Sequence, residues 1–549
     1  MANSEGKLLF GMELELGFAV LDDEGKQLDA TSALGSYLKV CSKKFLHLSG
    51  RDCMHLYLAN GSLVYPDVGH PEFATAESPS PVSLLQSLRA GEGMMADAAE
   101  ELESQPGISE VNLYRTNVDY SSIGTTWGCH ESYLARRSPA DFAPRVVDHL
   151  VSRLIYSGSG GFNNQSYGAA FVLSPRVAHL SSKIGRDSRG RRAIFSLREE
   201  SLSNVGYHRV HLICGEPNFS ELSTYLKVGT TALVIAMADA NVDFCMREKS
   251  LTSPVVAIGL FSLNPDCKKQ ASCDDGNRRS AIDIQRNYLE LAEKNLAAPF
   301  MPEWAEDVCV KWRKVLDQLA SDPEALIGSL DWPTKLAVFK QHVHARSTLS
   351  WSSLPVWTSV AMRVSRALST KTEVWPRMES RQIKALLGTK GAIARLLKNL
   401  TSMLDEHGLD WDDLDTFYDL RDQLCELDLR YGQLYPRGIY LDLEEAGRIR
   451  GGILEAGQIE KAIDRAPTEG RARVRGDWVR RLANSKDKYY SSWTCISGNS
   501  KYIDLGDPFV TEADWRTAER GQTLRNRSDE PDLDIPAFLT ESAQNRLFD

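Results

Sequence analysis

The sequence has no CxxC pair. Its ten cysteines are scattered from Cys41 to Cys495, which fits reduced thiols better than a disulfide framework or a thiolate zinc site. No run approaches the roughly 18 apolar residues that a membrane-spanning helix needs. The polar start, Met-Ala-Asn-Ser-Glu-Gly-Lys, leads directly into a strand pattern. Neither a secretion signal nor a membrane contact is expected, and the expected location is cytoplasmic. Positive charge is also short, with 64 Lys and Arg against 74 Asp and Glu and a formal net charge of -10. Nucleic acid is therefore not an expected partner, because such binding needs a basic surface that displaces counterions. Dinucleotide, Walker and nucleophile-elbow motifs are missing as well: Gly158, Gly160 and Gly161 read as a flexible loop, and the run LGTKGA at residues 387–392 reads as a turn between helices.

What is present is an ordinary globular composition of 549 residues, 42% hydrophobic and 25% charged, enough for one large domain and a smaller one. Residues 8–20, LLFGMELELGFAV, alternate apolar and acidic side chains, the period of a strand with one polar face. Glu13 and Glu15 then point the same way. Further strands are predicted at residues 62–65, 111–116, 169–173 and 209–214, and helices at 81–105 and 220–240. Residues 281–330 and 335–434 read as helix-rich, 471–482 as a basic helix, and 489–505 as strands. The expected fold class is α+β, an antiparallel or mixed sheet covered by helices. The expected domains are 1–465, with a helical insertion at about 342–410, and a small C-terminal domain at 466–549.

The densest polar segment is residues 60–77, NGSLVYPDVGHPEFATAE, which concentrates Tyr65, Asp67, His70, Glu72, Thr75 and Glu77 on a strand and its exit. Buried carboxylates need a metal or hydrogen-bond donors, since an unpaired buried charge is costly. Glu13 and Glu72 on neighbouring strands would form an oxygen-rich Mg site, and magnesium of this kind usually shares its shell with substrate phosphates, pointing to Mg-ATP. The competing reading makes Asp67, Gly69 and Pro71 turn formers and leaves Glu72 solvated. Residues 114–133 add Asn117, His130 and Glu131 around a small-residue loop, and residues 207–221 place Arg209 and His211 on one strand face. A lone histidine there would be a core residue, but Arg with His on one face suits phosphate contact.

With these segments in view, the sequence resembles the Pup ligase/depupylase family, carboxylate–amine ligase relatives with a glutamine-synthetase-like fold and a small C-terminal domain. The matching motifs run in order: GMELELGF, NGSLVYPDVGHPEFATAE, WGCHESYL, RVHLICGEPNFSELSTYLKVGTTALV, SAIDIQRNYLE, LDLRYGQL and RARVRGDW. The resemblance implies ATP and Mg2+ as cofactors, with Glu13, Tyr65 and Glu72 holding the metal. Thr75 would contact ATP, Trp493 would pack on the nucleotide, and Asp67 would be the catalytic acid/base. It places Arg198, Arg209 and His211 among cleft-lining basic residues. Leu63 stands where the family has an ATP-contacting arginine, a departure that bears on phosphate binding.

The implied reaction joins the C-terminal Glu or Gln of a small protein or peptide donor to an amine acceptor by an amide or isopeptide bond, through an acyl phosphate. The interval from Glu13 to Asp67 is short and HPEFATAE has the ligase form, whereas DVGHPE has the tighter spacing of the depupylase. A ligase is the favoured reading. A depupylase- or deamidase-like hydrolase that uses bound nucleotide is the alternative, and Leu63 motivates a third, a non-catalytic nucleotide-binding scaffold. The aromatics of the insertion, Trp351, Trp357 and Trp375, read as packing on the domain body, with partner docking as the competing view.

Overall fold

The computed structural model describes residues 6–121, 124–165, 167–187, 190–198, 202, 206–244, 249–368, 377–498 and 501–514. The alternating run near the start of the chain forms two strands rather than one, β1 (Phe10–Glu15) and β2 (Gly17–Asp22). Gly17 permits the change of direction. A Cβ there would lie 3.2 Å from both the Trp127 ring and Tyr114 Cβ, tighter than ordinary contact, so glycine eases the close passage of the chain from one sheet into another.

Helix α1 (Ala30–Lys44) follows, then β3 (His47–Ser49), β4 (Leu56–Leu58), β5 (Leu63–Asp67), β6 (His70–Ala74), α2 (Pro81–Glu103), β7 (Ile108–Tyr114) and β8 (Cys129–Ala135). The principal sheet has seven strands in the order His208–Leu212, β8, β1, β6, β5, β4, β3, and every pairing in it is antiparallel. Strand β2 pairs instead with β7, which also carries Gln433–Tyr435.

Period-two alternation gives the principal sheet two unlike faces. Phe10, Met12 and Leu14 of β1, Phe73 of β6 and Val64 of β5 enter the core, each worth roughly 2 kcal/mol of burial. Helices α1 and α2 cover that side. Helix α2 begins where Ser80 Oγ accepts the Ser83 N–H at 3.1 Å and Pro81 presets the first turn. It can sit close because a Cβ at Gly91 would lie 2.1 Å from the Phe73 ring. The opposite face keeps Gly11, Glu13 and Glu15.

The helix-rich middle of the chain is observed as Ala281–Lys294, Ala305–Ser321, Asp331–Arg346, Leu354–Leu368, Ser380–Leu387, Ala392–Asp405 and Leu414–Tyr431. Trp357 is fully buried, stacked on Phe417 at 5.9 Å and set edge-on to Trp411 at 6.5 Å. Trp351 is half-buried against the same core. Trp375 and residues 515–549 lie outside the described residues. Near the C-terminus the helix Arg471–Leu482 and the antiparallel strands Tyr490–Ser491, Cys495–Gly498 and Lys501–Asp504 enclose their own cluster of Val474, Val479, Ile496, Ile503 and Leu505. Leu48 of β3 and Ala59 join that cluster, so this unit caps the β3 edge of the main sheet. Among the described residues no helix is long and apolar enough to cross a membrane. The α+β class read from the sequence is the class observed.

Candidate active site

The polar face of the principal sheet is organised by strand register. Glu15 lies directly across from Glu72, and Glu72 across from Tyr65, making one row of oxygen ligands over three strands. In the next row Glu13 faces His130 on one side and Ala74, then Leu63, on the other. Beyond it, Gly11 faces Ser132, which faces His211; the last pair is Leu134 and Arg209. Glu15, not Glu13, is therefore the direct neighbour of Glu72. The expected metal set of Glu13, Tyr65 and Glu72 divides between two rows.

Two groups of side chains among the described residues bring their ligand atoms within 4.8 Å of one another: Glu15 with Asp67 and Glu72, and Glu13 with His130 and His211. In the second group both His130 Nδ1 and His211 Nε2 lie 3.5 Å from Glu13 Oε2, and the Arg209 guanidinium donates to Glu13 Oε1 at 2.5 Å. The imidazoles meet edge to face at 5.0 Å. Room between the two groups is kept by Gly128, where a Cβ would lie 2.3 Å from His130 Nε2 and 2.5 Å from Glu15 Oε1.

The groups differ in charge state. Burial alone would raise the Glu13 carboxyl, but Arg209 and the two histidines hold it well below the usual carboxylate range. His211 is pushed down to about 4 by burial and by the Arg209 charge, so its imidazole is neutral and can act as a ligand at neutral pH. Glu72 is only 2% exposed. Burial and the charges of Glu13 and Glu15 push it well above the usual range, and burial with Glu72 beside it keeps the Tyr65 phenol neutral. Three carboxylates, those of Glu15, Asp67 and the buried Glu72, converge on one spot and form an oxygen site suited to a hard divalent ion such as magnesium.

Along the same face Gly11, Glu13, Thr75, Ser132, Leu134, Arg209 and Trp493 line a cavity. Thr75 Oγ1 accepts the Met12 N–H at 3.0 Å, locking the hydroxyl to β1. Trp493 comes from the C-terminal unit. Its ring lies edge-on to Tyr57 at 5.8 Å and under the Arg475 guanidinium at 4.6 Å, and it packs in a cluster with Leu63, Ala74 and Tyr65. Leu63 thus serves as apolar support for the indole.

Other residues singled out in the sequence lie elsewhere. Glu131 is on the core face of β8, across from Met12, where it is fully buried and bound by Arg153 at 2.6 and 2.8 Å and by the Tyr133 hydroxyl at 2.6 Å. It is a core ion pair, and its placement in the cleft is corrected: strand parity sends it to the opposite side from His130. Asn117 is buried beyond β7, where its amide donates to Glu216 at 3.0 Å. His70 faces Asp67 across the β5–β6 hairpin, with Nδ1 2.9 Å from Leu16 O and its ring stacked on Trp127 at 4.9 Å. Arg198 follows the strand Ala193–Ser196 and its N–H donates to Ser196 Oγ at 3.2 Å. The sequence reading missed Gly128 and the pairing of Glu77 with Arg471 and Arg475, at 2.7 and 2.6 Å. All four residues stand in quoted motifs, but nothing in the sequence links Glu77 to Arg471 and Arg475, nearly 400 positions away.

A family profile described as "Pup-ligase protein" matches residues 15–365 and 392–497, leaving 366–391 unmatched. A depupylase of Acidothermus cellulolyticus is 35% identical over 307 residues, 54% of this chain and 60% of that protein. The chain thus spans less than two thirds of that relative's length. A Pup–protein ligase of Acidimicrobium ferrooxidans is 28% identical over 473 residues, 83% of this chain and 87% of its own. Among solved structures, the complex of the prokaryotic ubiquitin-like protein Pup with its ligase PafA has a TM-score of 0.69 at 24% identity, covering 95% of this chain and 94% of the other. The ligase PafA in complex with ADP has a TM-score of 0.62 at 24% identity, covering 85% and 89%. At that identity the two structures speak for the fold alone.

Proposed function

The chain belongs to the Pup-ligase family, and on that premise we propose that it is an ATP- and Mg-dependent ligase that joins a donor's terminal carboxylate to an amine. The observation that carries the reading is a cavity that brings Trp493, Thr75 and Arg209 together with Glu13, which also belongs to one of the two acidic groups on the polar sheet face. Trp493 would pack on a nucleotide base, and Thr75 and Arg209, which line the same cavity as Glu13, would contact its phosphates. Mg2+ would be held by Glu72 and Tyr65 with Glu15 on one side and by Glu13 on the other, and when bound it neutralises charge on the phosphoryl group in transfer.

A carboxylate is a poor electrophile, so its oxygen attacks the terminal phosphorus of ATP, ADP departs, and an acyl phosphate results. The amine then attacks the acyl carbon and phosphate leaves. A lysine at its ordinary pKa is almost fully protonated at neutral pH, and Asp67, at the end of β5 where the acidic row opens, accepts the proton it must lose. Arg209 is held against Glu13 and is therefore preset beside the reacting phosphoryl group.

The donor proposed is a small protein or peptide ending in Glu or Gln, in keeping with the Pup complex of the PafA ligase. The test is ADP release with hydroxylamine as acceptor and a donor peptide ending in glutamate. Hydroxamate forming one-for-one with ADP, lost in Glu13→Ala and reduced at least about a hundredfold in the amine-coupling assay by Asp67→Asn, is the expected result. The 35% identity to a depupylase supports a second reading, an amide hydrolase that keeps its nucleotide; product without matching ADP would select it. Nucleotide binding with neither product would select the scaffold.

A further inference from the structure

We infer that Glu77 and Arg475 are positioning residues for Trp493 and thereby set the affinity of the nucleotide site; this rests on the nucleotide reading above. Arg475 is fully buried on the helix Arg471–Leu482. Its guanidinium donates to Glu77 Oε2 at 2.6 Å and Oε1 at 3.2 Å, to Gly61 O at 2.8 Å, and to Trp493 O at 3.4 Å, while its Cζ lies 4.6 Å from the centre of the Trp493 ring. One side chain therefore fixes both the backbone and the ring of Trp493. Glu77 also accepts from Arg471 Nε at 2.7 Å.

Trp493 itself lies in the bend between two short strands, and such a segment does not hold an indole in one orientation without side support. The apolar neighbours Tyr57, Leu63 and Ala74 restrain one part of the ring, and the cation completes the restraint by stacking on it. The anchor comes from the same segment as the chemistry. Glu72 in the oxygen row, Thr75 on the cavity wall and Glu77 on the arginine follow one another within six residues. Removing Glu77 would leave a buried, unpaired guanidinium that must seek water, carrying the indole with it. A preset stacking surface raises affinity because its ordering cost is met before the ligand arrives.

The test is calorimetric titration of the full chain with Mg-ADP, comparing wild type with Glu77→Gln, Arg475→Lys and Trp493→Ala, with Mn2+ binding at the acidic rows read by paramagnetic resonance. Glu77→Gln is expected to weaken ADP about tenfold or more while Mn2+ affinity stays within about twofold. Arg475→Lys keeps the charge but not the fork and is expected to lose ADP affinity in the same direction, which keeps the inference testable should Glu77→Gln fail to fold. The tryptophan emission change on ADP binding, taken as the difference from Trp493→Ala, should shrink in both variants. Unchanged ADP affinity in a folded Glu77→Gln or Arg475→Lys protein overturns the inference, as does a parallel fall in Mn2+ binding, which would mark a merely structural role. Absence of ADP binding by wild type overturns the nucleotide reading and this inference together, and full binding by Trp493→Ala overturns the inference alone.

Discussion

Glu72 is the residue on which the metal argument turns. Its carboxyl is raised well above the ordinary 4.5 by burial and by the charges of Glu13 and Glu15, so the folded, metal-free protein binds a proton there that the unfolded chain releases. Stability contributed by Glu72 therefore falls as pH rises through and above 4.5, at about 1.4 kcal/mol for each unit of pKa difference. A divalent ion reverses this by favouring the charged form. Magnesium should thus raise the melting temperature more at pH 8 than at pH 5, and calorimetry in buffers of different ionisation enthalpy should register net proton release; equal stabilisation at both pH values would contradict the assignment. Gly128→Ala pushes a methyl between His130 and Glu15. It should weaken divalent-ion binding about tenfold or more, measured by the same titration.

At the scale of elements, the β5–β6 hairpin carries Asp67 on a two-residue turn in which Val68 adopts φ 42° and Gly69 φ 91°. A β-branched residue in the left-handed region is strained. Val68 is also 80% exposed and contributes no burial there. Val68→Asn should raise stability by about 1 kcal/mol, seen as a higher denaturation midpoint; a lower midpoint would show that Val68 makes a contact the hairpin depends on. Strand parity was legible in the sequence: Glu13 with Glu15, and Arg209 with His211, do share a face. Register was not, because β1 and β6 are separated in the chain by β2, α1, β3, β4 and β5, and the pairing of strands so far apart is set by packing rather than by either strand's own pattern. That is why Glu15 rather than Glu13 stands opposite Glu72. Parity also held the signal for Glu131, which alternates with His130 and Ser132 and shares its face with Cys129 and Tyr133; reading that stretch as a loop concealed it.

The whole molecule is joined at the site. The C-terminal unit shares a hydrophobic cluster with Leu48 and Ala59 and meets the principal sheet through Glu77, Arg471 and Arg475. Burial would raise the Glu77 carboxyl, but the two arginines hold it down at about 2. Its contribution, on the order of 3 kcal/mol, is fully present above the ordinary 4.5 and is lost as pH falls from there toward 2. Acidification from pH 5 to pH 3 should therefore loosen this unit and change Trp493 emission, and Glu77→Gln should remove that acid step. The fold class, the helices at 81–105 and 220–240 and the helix-rich stretch from 281 to 434 could be read from periodicity. The attachment of the C-terminal unit could not, since its ion pairs link positions 394 and 398 residues apart.

The proposed function has the acidic rows and the Trp493 cavity serve the activation of a carboxylate by ATP. It is tested most directly by following oxygen from a donor peptide labelled with 18O in its terminal glutamate carboxylate. If an acyl phosphate forms and an amine displaces phosphate from it, each phosphate released carries one donor oxygen, and this transfer disappears in Glu13→Ala. Phosphate that carries oxygen only from water, with product still formed, would contradict the account and assign the site to hydrolysis.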